Sequence, residues 1–344
     1  MSELISFLLV LIVLLLLIFI LFFIYLLFYG KKREQFEQNK EQYIKNNELG
    51  WYLFLIDQEK ELNHKLTYEQ YEIEAIEEIL ISYTRNASDK NILFNIQKFT
   101  SENLLSFYRQ QLKSSKWSIR MNALYRIGDF RMETLLDECK KMLRKKVSKE
   151  EYFEIMILSS YFDISYFIEE LIAAKMVFSE YEYKKIFFGI SDQSESELEK
   201  QFEKLPLTTQ LAYIDTLGLK RKAKSLVFLE KQRESEQPEI RIRSLKAAYE
   251  IGVPIEVEKL ESFIASPIWE ERLMSVRLLS ILPSEDSLAH LRTLIEDQNW
   301  WVRSKAAEVI RQGKNGKAVL KEIVQFSKDA YAVDIANELL NEKG

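Results

Sequence analysis

An all-α fold behind a single N-terminal transmembrane helix is predicted by three observations. Residues 4–29, LISFLLVLIVLLLLIFILFFIYLLFY, contain no charge, proline or glycine. Only nine glycines and five prolines serve 344 residues, and most fall between stretches of helical apolar periodicity. The C-terminal third repeats a helical pattern at a spacing of roughly thirty residues.

The apolar run comes first. At about 1.5 Å per helical residue its 26 positions reach roughly 39 Å, more than the ~30 Å hydrocarbon core. A helix satisfies every backbone hydrogen bond internally, as lipid requires, and the excess length predicts a tilt. A cleaved signal peptide would need a basic leader, a shorter apolar stretch and small residues at a cleavage site. Met1, Ser2 and Glu3 precede the run, whereas Lys31, Lys32 and Arg33 follow Gly30. Positive charge stays inside, so the expected topology is N-terminus out and C-terminal domain cytoplasmic at the cell membrane. Phe19, Phe22, Phe23, Tyr25, Phe28 and Tyr29 suit the inner boundary.

Composition bounds the chemistry. Cys139 is the only cysteine, so no intrachain disulfide forms, and its place in DECKKML reads as a small apolar core residue. Asn86-Ala87-Ser88 is formally a glycosylation sequon that matters only outside the cell. After residue 30 there are 48 basic and 52 acidic residues, a mixed surface unlike that of a general nucleic-acid binder. Two local basic runs, Lys140-Lys141 with Arg144-Lys145-Lys146 and Lys220-Arg221-Lys222 with Lys224, read as solvated faces or as contacts to anionic lipid or an acidic partner.

Residues 31–48 are polar and read as a helical stalk or linker, leading to a first packed helix near Trp51 in an N-terminal helical region, 49–113. Capping boxes mark helix starts at Thr67-Tyr-Glu-Gln70, Ser148-Lys-Glu-Glu151 and Ser179-Glu-Tyr-Glu182. Pro206, Pro238, Pro254, Pro267 and Pro283, with Gly128, Gly189, Gly218, Gly252 and Gly313, mark boundaries. No alternating strand pattern intervenes.

The repeat is clearest where Trp269 matches Trp300 and Arg272 matches Arg303. Upstream, the unit beginning Pro238-Glu-Ile-Arg-Ile-Arg243 has the same form, with Arg241 or Arg243 as the matching arginine. Lys116-Trp-Ser-Ile-Arg120 repeats it, and a last unit carries Asp334 in the arginine position. A second amphipathic helix follows each of these: Met132 to Leu143, Val257 to Phe263, Ser287 to Ile295 and Ala318 to Phe326. Such helix pairs bury their apolar faces only by stacking on neighbours, which predicts a curved rod.

With Ile119-Arg120 before Ala123, and Val302-Arg303 before Ala306 and Ala307, the sequence resembles the HEAT-repeat family of α-solenoids. The resemblance covers 114–143 and 236–344, while 144–235, within the helical region 114–235, departs from the pattern. It implies a right-handed solenoid of helix pairs in which Arg120, Arg272 and Arg303 pair with neighbouring acids, and in which Trp117, Trp269 and Trp300 pack between repeats. An arginine row, with Arg243 as a further member, binding an anionic partner is the functional alternative. Asp334 fits a solvent-facing cap.

Catalytic constellations are missing. His64 and His290 are the only histidines, one cysteine builds no structural zinc set, and no phosphate loop or nucleophile elbow occurs. Glu77-Glu78, Glu169-Glu170 and Glu270-Glu271 read as solvated helix positions. The expectation is therefore not an enzyme and no cofactor, metal or small-molecule substrate. It is a membrane-tethered scaffold for another, membrane-associated protein, such as an accessory subunit of a membrane enzyme complex building surface polysaccharide. The alternatives are a HEAT-like nucleic-acid-binding or base-repair protein, against which the anchor and acidic balance argue, and a domain binding an anionic membrane surface.

Overall fold

The computed structural model describes residues 2–56, 66–86, 89–282 and 284–341; His64, Ala87 and Ser88 of the sequon, and Pro283 lie outside these. The described residues are helical, with no strand among them. They divide into two compact units, Met1–Ile155 and Met156–Gly344.

The first unit begins with one unbroken helix, α1 (Ser2–Ile56). Gly30 and Gly50 lie inside it with open space around both, and the roughly 1 kcal/mol each costs does not break so long an apolar helix. The polar residues 31–48 and the first packed residues therefore belong to the same helix as the apolar run, without a separate helix near Trp51. Every large apolar side chain from Ile5 to Tyr29 is exposed, whereas Trp51 and Leu55 on the same helix are fully buried. This helix is long and apolar enough to cross a membrane.

Its far end packs on α2 (Gln70–Asn86) and α3 (Lys90–Asn103). Trp51 meets Phe99 edge-on at 4.9 Å, Asn95 donates to the Leu55 carbonyl at 2.8 Å, and Lys40 pairs with Glu78 at 3.3 Å. The Thr67 box does not form as expected. Glu72, two residues beyond Gln70, accepts from the Thr67 N–H (2.7 Å), the Thr67 hydroxyl (2.6 Å) and the Tyr68 N–H (2.7 Å). Tyr68 takes a left-handed φ of 58°, which lets the chain fold back over that carboxylate. α4 (Leu105–Gln111), α5 (Trp117–Asp129) and α6 (Leu136–Met142) follow, and the unit closes within α7 (Lys149–Phe162). Ser148 and Glu151 make the reciprocal box expected there, at 2.9 and 3.2 Å. Cys139 is fully buried in α6, and burial pushes its thiol up to about 12, so it is an unreactive core residue.

In the second unit α8 (Ile164–Ala173), α9 (Glu180–Gly189), α10 (Asp192–Lys200), α11 (Leu207–Lys220) and α12 (Leu226–Gln232) occupy the stretch without the repeat pattern. Then come α13 (Pro238–Ile251), α14 (Glu261–Ile264), α15 (Trp269–Leu279), α16 (Ser284–Leu294), α17 (Trp300–Gln312), α18 (Gly316–Phe326) and α19 (Ala330–Asn341). α9, α11, α13, α15 and α17 each pack on the next, and α19 packs on both α17 and α18. Two of the second helices, those expected over Met132 to Leu143 and Val257 to Phe263, open in a 3₁₀ turn, Glu133–Leu135 and Val257–Leu260, whereas α16 and α18 begin before Ser287 and Ala318.

The unpatterned α11 is the most enclosed helix of this unit, with every residue from Thr209 to Gly218 buried. A helix covered on all sides needs no amphipathic stripe, which is why its repeat signal is weak. Gly218 is therefore no helix end. A Cβ there would meet the Ala247 Cα at 2.9 Å and collide with the Glu250 carboxylate, so glycine sets the close approach of α11 and α13. Gly252 does end a helix, capping α13 at φ 79°. Gly218→Val is expected to cost about 1–3 kcal/mol by forcing these helices apart, read as a lower urea midpoint; an unchanged midpoint would refute this contact.

Candidate interaction surfaces and the arginine ladder

Four arginines occupy the same place, the fourth residue of their helices: Arg120 in α5, Arg241 in α13, Arg272 in α15 and Arg303 in α17. Each turns its Nη1 back onto the loop before its helix. Arg120 donates to the Ser114 and Ser115 carbonyls (2.9 and 3.1 Å), and Arg241 to those of Ser235 and Glu236 (2.8 and 3.2 Å). Arg272 donates to Ser266 (2.7 Å), and Arg303 to Asp297 and Gln298 (2.7 and 3.0 Å). The loop carbonyls, left without helical partners, are thereby satisfied.

The Nε of each of the first three reaches forward to an acid. Arg120 meets Glu151 at 2.6 Å, Arg241 meets Glu271 at 2.7 Å, and Arg272 meets Asp297 at 2.6 Å with a second bond at 2.8 Å. Glu151 and Glu271, 1% and 3% exposed, are third residues of α7 and α15, so they tie α5 to α7 and α13 to α15. Burial pushes the Glu151 carboxyl up, but the Arg120 hydrogen bond and the Ser148 N–H outweigh it and hold the group below the ordinary range. Arg303 ends the series differently. Its Nε is buried without an acceptor and its guanidinium lies 4.8 Å from the centre of the Tyr331 ring. Asp334 is exposed on α19.

The matching arginine of the Pro238 unit is thus Arg241. Arg243, two residues on, joins a different network: it donates to Asp215 on α11, to Glu180 on α9 (3.0 Å) and to Glu239 (2.9 Å). Asp215 is buried, and Lys184 approaches it at 2.6 Å and Lys246 at 3.6 Å. Burial raises the Asp215 carboxyl, yet the Lys184 hydrogen bond and the neighbouring cations leave it depressed. The i to i+2 arginine spacing concealed two separate roles.

The tryptophans diverge as well. Trp269 packs against the core of the C-terminal helices. Trp117 is 49% exposed and donates to Ser148 at 3.0 Å. Trp300 and Trp301, 52% and 60% exposed, stack edge-on at 4.8 Å and leave an aromatic surface at the start of α17. Trp117 and Trp300 are therefore only partly engaged in packing.

The acid doublets are not uniformly solvated. Glu170 and Glu271 are buried, and Glu77 accepts from the Tyr108 hydroxyl (2.6 Å) and from Arg126 (2.9 Å). In a doublet on an amphipathic helix one carboxylate turns inward and finds a cation or hydroxyl. Glu77 also lines a groove of about 870 Å³ between α1, α2, α4 and α5, with Lys40, Glu74, Ser82, Phe107 and Asn122. No local motif marks that groove, since its walls come from four helices separated in the chain.

The two basic runs separate. Lys220, Lys222 and Lys224 pair with Glu195 and Asp192 of α10, at 2.5, 2.9 and 2.7 Å, so three of the four cations of the 220–224 run belong to an ion network while Arg221 is exposed. Lys141, Lys145 and Lys146 stay exposed beside a cleft. Among the described residues no group of three His, Cys, Asp or Glu side chains is placed to hold a metal ion.

No protein-family model matches the chain, and no curated protein does. Among solved structures, an engineered protein from the Northeast Structural Genomics Consortium aligns over 80% of this chain and 81% of its own, at 15% identity and a TM-score of 0.26. A likeness at that level carries no argument about fold or function.

Proposed function

We propose that the chain is a membrane-tethered interaction scaffold. α1 spans the bilayer with Lys31, Lys32 and Arg33 at its cytoplasmic end, and the helix pairs beyond it stack as HEAT-like units forming a right-handed solenoid that holds a membrane-associated protein. The observation that carries the reading is the uncovered apolar surface from Ile5 to Tyr29 on the helix that buries Trp51 and Leu55 farther along. Anchor and folded unit share one continuous element. Contiguous apolar area of that size needs a nonaqueous partner, and a run this long and free of charge suits lipid. The recurrent arginine at the fourth helical position, with its loop carbonyls and its acid, supports repeated stacking units. Tethering raises the local concentration of a partner, so a modest contact suffices.

The docking face we assign is the groove between α1, α2, α4 and α5. Photo-crosslinking residues placed at Ser82 and Asn122 of the full-length chain in its native membrane are expected to capture one discrete membrane-associated protein. The same residue at exposed Val227 is expected to capture none. Recovery of the same unselective set of neighbours from all three positions would end the scaffold reading.

A further inference from the structure

A second cleft, of about 360 Å³, opens between α4, α5 and α6. Six cationic side chains line it, Arg109, Lys113, Arg120, Lys141, Lys145 and Lys146, over a floor that includes Leu112 and Met142. Glu138 is the one carboxylate in the lining, and Arg109 Nε already engages it at 2.9 Å. Arg120 is spent on Glu151 and on the Ser114 and Ser115 carbonyls. Lys113, Lys141, Lys145 and Lys146 have no carboxylate partner among the described residues.

The contrast with Lys220, Lys222 and Lys224, each neutralised by Glu195 or Asp192, is what makes the cleft informative. In a chain of net charge −5, four lysines gathered at one cavity repel one another, and the one carboxylate in the lining, Glu138, is already held by Arg109. The cleft is at the small end of the range for small-molecule sites, roughly 300–1,000 Å³. No aromatic side chain lines it, so it lacks the stacking platform by which single-stranded nucleic acid is held.

We propose that this cleft binds a phosphate ester on a small polar headgroup, with Lys113, Lys141, Lys145 and Lys146 neutralising the phosphate and the free Nη groups of Arg109 adding directional donors. A lipid headgroup and a soluble phosphorylated compound present the same chemistry.

The full-length chain in phosphatidylcholine nanodiscs, footprinted with an amine-reactive reagent and read by mass spectrometry, separates these sources. Glycerol phosphate is expected to protect the four cleft lysines saturably while exposed Lys314, Lys317 and Lys321 stay reactive. Protection by phosphatidylglycerol in the disc, without the soluble probe, identifies a lipid headgroup; protection by the soluble probe alone identifies a soluble ligand. Either result supports the proposal. The triple variant K141Q/K145Q/K146Q is expected to bind on the order of 100-fold more weakly, about fivefold per lysine, whereas K141R/K145R/K146R retains binding. All three positions are exposed, so both variants should keep their helical circular dichroism. No protection from either source, equal protection of the control lysines, wild-type affinity in the glutamine variant, or protection only by an oligonucleotide would each overturn it.

Discussion

Arginine at both Leu14 and Leu17 is expected to move the chain from the carbonate-resistant membrane fraction to the soluble fraction. Each arginine near the centre of a spanning helix costs about 2.5–3.5 kcal/mol of insertion, so the pair costs roughly 5–7 kcal/mol. Both side chains are exposed on α1, so no contact inside the protein offsets the change or is lost with it. The folded part should keep its thermal transition, because the buried residues of α1 begin far beyond these positions, at Trp51 and Leu55. A doubly substituted chain that still resists carbonate extraction would show that something other than this apolar surface retains it.

The second large effect concerns the arginine ladder. Arg241→Ala strips the cation from a 3% exposed Glu271 and leaves the Ser235 and Glu236 carbonyls unsatisfied. Removing one member of a buried pair typically costs about 3–5 kcal/mol, because the remaining charge stays buried without compensation. In a unit the size of Met156–Gly344 that corresponds to a fall in Tm of roughly 6–20 °C. Arg292→Ala provides the comparison. Its pair with Glu322 is as short, at 2.5 Å, but both side chains are exposed, so its loss should cost no more than about 1 kcal/mol. Arg241→Met with Glu271→Met should recover much of the loss, since the uncompensated carboxylate is gone. Equal Tm values for the Arg241 and Arg292 variants would show that burial, not distance, had been misjudged.

The all-helical class was readable from the scarcity of glycine and proline, and the apolar helix from its length alone. The capping boxes at Ser148 and Ser179 were readable too, because a box is a local pattern completed within four residues. Thr67 failed since Glu72 outcompeted Gln70 for the same backbone groups, a choice between neighbours that spacing cannot decide. The arginine register was ambiguous because Arg241 and Arg243 both follow an isoleucine, and only the loop carbonyls distinguish them. The acids that complete the ladder carried a usable signal, an acid at the third position of the next helix but one, about thirty residues on, in two of three cases. Asp297 breaks it by approaching Arg272 from the loop instead. Gly218 was misread because a glycine in a helix contact and a glycine at a helix end look alike without the partner helix. Neither cleft was visible, since each is assembled from helices that meet only in three dimensions.

The claim on which the rest depends is that α1 lies in the bilayer with the helical units on the cytoplasmic side. Protease added to intact cells, compared with the same protease added after permeabilisation, tests it most directly when the C-terminal region is followed by immunoblot. The account predicts a full-length chain that survives in intact cells and is digested only once the membrane is opened. Digestion of the C-terminal helices in intact cells, or a chain found already shortened near Gly30, would contradict it.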